Sequence, residues 1–272
     1  MLAGGFEYEI LIGSNIVNTT TMRNILIPIY IILSFPSLFA QGYEGSPCQC
    51  CNPLPQALIN KKTIEGIFID DCGPNPGPIS SSFLKASGKA PLRTSDPNFK
   101  PPANWSEADG DYEYDSWTCM YASSRATDGN ESTAWVEGVL GNGKGEVLLI
   151  PNLDISKKVE IRVGFAKSEA LYWANARPKK IVVHVVRAQP KYNGATQCGQ
   201  WFENVTWISS QPVTLQDVNR YQPLPLPAFK KETFKIEGED WDYQYWLMIE
   251  LVDVYPGKKY EDTCISEIRN VQ

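Results

Sequence analysis

The segment KSEALYWANAR, from Lys167 to Arg177, holds the side chains best suited to binding a small hydroxylated molecule. A sugar presents apolar C–H faces that pack on an aromatic ring, and hydroxyl pairs that bond to amide, guanidinium or carboxylate groups. Glu137, in the preceding motif, could add a carboxylate acceptor. This mixture predicts a carbohydrate-binding site built from six residues: Lys167, Tyr172, Trp173, Asn175, Arg177 and Glu137.

The placement of this segment between two strongly predicted strands suggests a surface loop. On that basis we expect Tyr172→Ala and Trp173→Ala to weaken sugar binding and to change stability by no more than ~1 kcal/mol. The alternative is that Tyr172 lies in the core and that Arg177 pairs with an acidic residue nearby. A second segment, DVYPGKKYEDT from Asp253 to Thr263, either joins the rim of the site or only links the last two strands; we favour the linker.

The loop DGNEST, which begins at Asp128, is a candidate calcium site. Ca²⁺ takes about six to eight oxygen ligands, and Asp128, Asn130 and Glu131 could supply several of them. The same residues also suit a self-contained turn, because the glycine accepts positive φ and the aspartate carboxylate bonds nearby backbone N–H groups. Both interpretations stay open. Trp135, just after the loop, is expected to anchor the core rather than to stack on a ligand.

No catalytic motif accompanies these candidates. The single histidine, His184, is central in the β-branched segment KIVVHVVR and is expected to be a hydrogen-bonded strand residue rather than a base. The sequence has no Gly-x-Ser-x-Gly or His-Glu-x-x-His motif, and GNGKG lacks the spacing of a phosphate loop. We therefore expect that the protein is not an enzyme.

Strand patterns must position these residues, and they occupy most of the chain after Trp117. β-branched and aromatic runs alternate with turn residues, and no convincing amphipathic helix or internal repeat is present. This pattern predicts an all-β jelly roll or β-sandwich rather than parallel βαβ units. The predicted strands are residues 146–150, 159–165, 180–187, 205–208, 229–236, 243–254 and 264–268.

Within the first forty residues, the sequence predicts a targeting signal. A short basic start at Met22, an apolar run over 25–39 and Ala40 before Gln41 together predict a signal peptide at 22–40. The apolar run is too short and too interrupted by proline to span a membrane. Residues 1–21 fit no part of a signal peptide, so we interpret them as a gene-model extension. These features predict export to the periplasm, the cell surface or the medium, with no membrane span after cleavage.

Residues 41–116 form a Cys- and Pro-rich segment that is expected to be mostly irregular, with one predicted strand at 64–69. Disulfides are favoured in an exported chain, although an odd number of cysteines leaves at least one unpaired within it. Zinc bound by the first four cysteines is the less favoured alternative. The seven cysteines are Cys48, Cys50, Cys51, Cys72, Cys119, Cys198 and Cys264.

DGNESTAW resembles the Asp-Gly…Thr-Ala-Trp signature of discoidin, or factor V/VIII type C, domains. The stretches TAWVEGVLGNGKGE, GFAKSEALYWANARPKKIVV and IELVDVYPGKKYEDTCISEI resemble one subfamily more specifically. It includes the N-terminal translocation, or glycan-binding, domain of streptococcal secreted NAD glycohydrolases. The resemblance covers about residues 117–270. It implies a galactose-binding-like jelly roll with ligand loops at one edge, carbohydrate or cell-surface binding, and often a structural Ca²⁺. The NAD-cleaving activity, which lies in a separate domain of those proteins, is not expected here.

The predicted organisation is thus a segment at 41–116 followed by a discoidin-like domain at 117–272. We predict a non-catalytic exported carbohydrate-binding module whose partner is a glycan or glycoconjugate at a cell surface or in the extracellular space. The alternative is a secreted or envelope protein-interaction module of the same fold. A net charge of −6 disfavours nucleic acid as a partner.

Overall fold

The structure of the protein is a computed structural model. It describes residues 48, 54–61, 63–72, 77–106 and 109–271. These residues all fall within one compact unit, 40–272. The predicted gene-model extension and the predicted signal peptide lie outside the described residues, as do Cys50 and Cys51. Within the described residues, no helix has the length and apolar character needed to cross a membrane.

The larger layer of the fold is a six-stranded sheet in which every strand pair is antiparallel. Its strands are β1 (Ile67–Asp70), β2 (Ile79–Ser80), β4 (Val147–Ile150), β6 (Arg177–Thr196), β7 (Gly199–Thr214) and β11 (Gln244–Tyr255). Their order is β1-β7-β6-β11-β4-β2. Val183 of β6 lies opposite Ile249 of β11, and Val185 lies opposite Leu247, so alternate apolar residues share one face.

A four-stranded antiparallel sheet forms the second layer. It contains β3 (Trp135–Val136), β5 (Val159–Val163), β8 (Gln222–Leu224) and β12 (Cys264–Asn270), in the order β3-β12-β5-β8. A separate hairpin pairs β9 (Thr233–Ile236) with β10 (Glu239–Asp242). The arrangement confirms the predicted all-β sandwich.

The main core lies between the two sheets. Ile161, Val183, Ile249 and Ile265 are all buried in it, and each comes from a strand whose residues alternate between the two faces. Trp135 is also buried there, and its Nε1–H donates to the Ser82 carbonyl at 3.0 Å. The expected role of Trp135 as a core anchor is therefore confirmed.

The outer face of the six-stranded sheet has its own apolar cover, supplied by residues from 41–116. Leu58, in helix α1 (Leu54–Ile59), packs in a second buried cluster with Ile67 and Ile69 of β1 and with Trp246 and Met248 of β11. The predicted strand at 64–69 is present as β1, with an additional bridge from Ile64 to Val205. Part of the Cys- and Pro-rich segment thus completes the sheet and shields its outer face.

Disulfides tie this segment to the rest of the fold. Cys48 is bonded to Cys119, and Cys72 is bonded to Cys198. These bonds confirm the preference for disulfides and exclude the four-thiolate zinc alternative, because two of its proposed ligands are bonded elsewhere. Cys264 is a free, buried thiol, and burial raises its pKa well above the usual range.

The predicted strands all occur, with shifted ends. The largest differences are in β6, which extends to Thr196, and β7, which covers residues 199–214 where only 205–208 were predicted. Three helices were not predicted from the sequence: α1, α2 (Tyr112–Thr118) and α3 (Glu169–Ala174). Each has fewer than eight residues, which is too short for a helical period to be visible in the sequence.

Candidate functional site

The Lys167–Arg177 segment contains a short helix rather than only a loop, so that part of the prediction is wrong. Ser168 caps the helix, and its Oγ accepts the Leu171 N–H at 3.2 Å. The Asn175 side chain donates to the Leu171 carbonyl at 2.8 Å and satisfies one of the last helical acceptors. The helix, α3, stands between β5 and β6 at one end of the sandwich.

Tyr172 and Arg177 anchor α3 and do not face solvent. Tyr172 is 0% exposed and Arg177 is 3% exposed. The Tyr172 hydroxyl donates to Asp217 Oδ1 at 3.0 Å, while the Arg177 guanidinium donates to Oδ1 and Oδ2 of the same carboxylate at 3.0 and 2.7 Å. Burial and the adjacent Asp217 raise the pKa of Tyr172. Tyr172 and Arg177, both predicted from the sequence as ligand residues, are therefore placed in the interior, where they hold Asp217.

Two more predicted ligand residues hold the backbone. Glu137 is fully buried; its Oε2 accepts the Val139 N–H at 2.9 Å and its Oε1 accepts the Thr263 N–H at 3.2 Å. Burial raises the pKa of Glu137 to about 7 despite these two hydrogen bonds. Asn175 is also buried. Glu137 and Asn175 therefore brace the backbone at this end of the sandwich.

Trp173 is the aromatic residue of this segment that reaches the surface, with 37% of its area exposed. Its Nε1–H donates to Glu169 Oε2 at 3.0 Å, and its ring lies edge-on to Tyr172 with centroids 5.0 Å apart. These contacts fix the ring on an anchored helix. Lys167, at the start of the same segment, is also exposed.

The Asp253–Thr263 segment docks against α3 and adds to the same surface. The Lys258 N–H donates to the Trp173 carbonyl at 2.9 Å, and the Tyr260 N–H donates to the Ala174 carbonyl at 2.8 Å. Lys258 Nζ lies 5.6 Å from the Trp173 ring centroid, and Tyr260 is also exposed. We call Trp173, Lys258, Lys259 and Tyr260 the Trp173 surface.

The Asp253–Thr263 segment links β11 to β12, which confirms the role we favoured from the sequence, and it also packs against α3. The signal was present in PGKKY, where two lysines adjoin a tyrosine after a turn. A pattern of that kind cannot show which neighbouring element the turn packs on. The contact with α3 depends on tertiary structure.

The Asp128 loop is the self-contained turn that the sequence allowed. Asp128 Oδ1 accepts the Asn130 N–H at 2.9 Å, and the Thr133 hydroxyl bonds the same carboxylate at 2.8 Å. Glu131 pairs instead with Arg162, and the Asn130 side chain accepts the Ser132 N–H at 3.0 Å. Asp128, Asn130 and Glu131 therefore do not form a common ligand set.

A different acidic residue meets this loop. Glu267 of β12 is buried, and its Oε2 has no hydrogen-bond partner. Burial and, to a smaller extent, repulsion from Asp128 raise the pKa of Glu267 to about 7, although a hydrogen bond from the Gly129 N–H opposes the shift. A buried carboxylate oxygen without a partner, next to a second carboxylate, fits a bound cation. In the described chain no group of three or more Asp, Glu, His or Cys side chains is arranged for a metal, so hydroxyl and carbonyl oxygens would complete the set.

His184 is engaged on both sides of its ring. Its Nε2 lies 3.3 Å from Glu250 Oε2, and its Nδ1 accepts the Trp207 Nε1–H at 3.1 Å. Burial lowers the pKa of His184, although Glu250 opposes that shift. The expectation that His184 is a hydrogen-bonded strand residue is confirmed.

The fold and the loop-borne surface at one end of it define a discoidin-like, F5/8 type C β-sandwich domain. The family described as the NAD glycohydrolase translocation F5/8 type C domain matches residues 111–270. The chain belongs to that family. The match begins close to residue 117, where the resemblance in the sequence begins.

The similarity of this chain to solved structures is limited. An arabinofuranosyltransferase AftD from Mycobacteria matches 75% of this chain and 11% of its own, at 13% identity and a TM-score of 0.34. A CBM32 of AlyQ in complex with 4,5-unsaturated mannuronic acid matches 56% of this chain and 87% of its own, at 12% identity and a TM-score of 0.25. A search of curated proteins gives no match.

Proposed function

We propose that this protein is an exported, non-catalytic glycan-binding module whose ligand lies on the Trp173 surface. Membership in the F5/8 type C family supports a binding domain, and two disulfides together with the predicted signal peptide support export. The observation that carries the site is the exposed Trp173 ring on a helix anchored by buried side chains. A ring held in this way loses little conformational entropy when a sugar packs on it.

The charges around the ring favour an anionic glycan. Lys258 lies beside the Trp173 ring, and Lys259 lies 4.9 Å from the Tyr260 ring centroid. Carboxylate or sulfate groups on a sugar would be attracted by these ammonium groups while the pyranose ring packs on the indole. Tyr172, Arg177, Glu137 and Asn175 act as positioning residues in this proposal.

Trp173→Ala should weaken the binding of acidic oligosaccharides by about tenfold or more, because the stacking surface is lost. The free energy of unfolding should change by less than ~1 kcal/mol, since the ring is a surface side chain. A glycan array followed by titration calorimetry measures the first effect, and urea unfolding measures the second.

Trp241→Ala provides a matched control, because Trp241 is 38% exposed but lies on β10, away from α3. Both variants should fold, and only Trp173→Ala should lose binding. Equal binding by the wild type and Trp173→Ala would reject the Trp173 surface. Binding to no glycan at all would instead favour the protein-interaction alternative.

We also propose that Asp128, Thr133 and Glu267 hold a structural Ca²⁺ ion together with backbone carbonyls of the 128–133 loop. The ion would neutralise the two carboxylates and brace the loop against β12. Its support is the unpartnered, buried Oε2 of Glu267 and the convergence of the Thr133 hydroxyl on Asp128.

Calcium at about 100 times its Kd should stabilise the protein by about 2.7 kcal/mol, which corresponds to a rise in Tm of roughly 5–10 °C. Glu267→Gln should abolish this rise, whereas Glu131→Gln should retain it because Glu131 pairs with Arg162. Differential scanning calorimetry with calcium and then with a chelator gives the comparison. An unchanged Tm under both conditions would exclude the ion.

A further inference from the structure

A polar groove lies at the end of the sandwich opposite the Trp173 surface. It consists of two cavities, of about 240 and 390 Å³, that share Leu153, Asp154 and Tyr245. Tyr245 is near the start of β11, and Lys258 follows the end of that strand. The twelve residues of β11 span about 40 Å at ~3.4 Å per residue, so the two surfaces are well separated. We call the pair of cavities the Tyr245 groove.

Aromatic rings form the apolar part of this groove. Phe229, Tyr243 and Tyr245 line the smaller cavity, and Phe229 and Tyr245 also pack against the main core. Their ring centroids are 5.0 Å apart, and Tyr243 packs on Phe234 at 4.7 Å. The Arg187 guanidinium carbon also lies 4.4 Å from the Tyr243 ring centroid. The rings therefore rest on ordered neighbours and give the cavity a fixed apolar lining.

Backbone contacts hold the walls in place. The Glu232 N–H donates to the Tyr245 hydroxyl at 2.7 Å, which joins the strand β11 to the segment before β9. On the other side, the Asn270 side chain donates to the Asp154 carbonyl at 2.8 Å and accepts the Asp154 N–H at 3.2 Å. The groove is consequently formed before any ligand arrives, which reduces the entropic cost of binding.

Several polar groups of the groove have no partner. The side chains of Lys231 and Asp242 line the smaller cavity, and those of Asp71 and Asn152 line the larger one. None of these four has a hydrogen bond or an ion pair within the described residues. Carboxylate, amide and ammonium groups beside aromatic rings are the donors and acceptors that hydroxyl pairs of a sugar require.

The charge of the groove sets the class of ligand. Four carboxylates line it, from Asp71, Asp154, Glu232 and Asp242. Asp154 is paired with Lys157 and Glu232 with Arg187. The carboxylates of Asp71 and Asp242 therefore remain against the single ammonium group of Lys231. A uronate or a sulfated sugar would be repelled there, whereas neutral hydroxyl groups can donate to the carboxylates. We propose that the Tyr245 groove is a second glycan-binding site that takes neutral oligosaccharides.

This inference rests on the proposed glycan-binding function but not on the Trp173 surface, and separate variants test it. The full exported chain, with its disulfides intact, is titrated with neutral linear trisaccharides of glucose, mannose and galactose, with an oligouronate, and with an oligolysine peptide. Tyr243→Ala and Asp242→Asn should each weaken binding of the best neutral trisaccharide by about tenfold. Because Asp242 is exposed, Asp242→Asn should fold even if Tyr243→Ala does not, and it then tests the groove by itself.

Trp241→Ala is the matched control, because it removes an aromatic ring from the same hairpin without altering the lining of either cavity. Trp241→Ala and Trp173→Ala should both retain the neutral trisaccharide. If only Trp173→Ala loses binding of the neutral trisaccharide, or if all variants bind it equally, then the groove is not its binding site. The proposed glycan-binding function would still stand in either case. Stronger binding of the oligouronate or of oligolysine to the groove would overturn the ligand class. No binding of any glycan would overturn both proposals.

Discussion

Tyr172→Ala should lower the free energy of unfolding by about 3–5 kcal/mol, the usual cost of removing a large buried aromatic side chain. The ring is fully buried in the main core, and its hydroxyl holds Asp217 together with the Arg177 guanidinium. Removing it leaves a cavity beneath α3 and weakens the support of Arg177. The expectation from the sequence, a change of no more than ~1 kcal/mol, is reversed by this burial.

Urea unfolding monitored by circular dichroism measures the effect, and two variants isolate its cause. Tyr172→Phe keeps the ring and loses only the bond to Asp217, which remains paired with Arg177, so it should cost about 1 kcal/mol. Trp173→Ala, at the next position, should be nearly neutral. If Tyr172→Ala and Trp173→Ala have the same stability, then Tyr172 is not the anchor of α3.

Removal of the Cys72–Cys198 disulfide should cost about 4–5 kcal/mol. The bond joins residues separated by 126 positions, and a closed loop of that length removes a large amount of chain entropy from the unfolded state. It also lies beside the pairing of Asp70 with Gly199, where β1 joins the sheet edge. Loss of the bond should therefore also loosen β1 from the outer apolar face.

The double variant Cys72→Ala, Cys198→Ala is compared with the wild type by thermal unfolding without reductant. Its Tm should fall by roughly 10–20 °C for a chain of this size. Hydrogen exchange should show faster exchange in β1 than in β12, because β12 is paired on both sides within the second sheet. An unchanged Tm would mean that the Cys72–Cys198 disulfide contributes nothing to stability.

Local features of the fold could be predicted from the sequence. The strands were found because alternation of apolar residues, β-branched runs and turn residues act over a few positions. Trp135 and His184 were assigned correctly for the same reason, since a residue inside a strong strand pattern is buried on one face or the other. The Asx turn at Asp128 also depends only on neighbours in the chain.

The candidate site was only partly predictable. Tyr172 and Trp173 are adjacent and of similar type, and no local rule decides which ring faces the core. Asp217, which holds Tyr172, and Lys258, which adjoins Trp173, lie in loops distant in the chain, so their contributions could not be read from the Lys167–Arg177 segment. The sequence therefore indicated a candidate segment but not which of its side chains are buried.

The sequence by itself determined the strands and the family, and it predicts the export signals, because these depend on composition, short-range spacing and motif identity. Tertiary structure alone decided which side chains are exposed, which carboxylate meets Asp128, and where the Tyr245 groove opens. Burial is a property of the assembled sheets: packing two sheets face to face covers Tyr172 and Glu137 and leaves Trp173 outside. The unpartnered Glu267 and the groove arise in the same way, from segments that come together only when the sandwich closes.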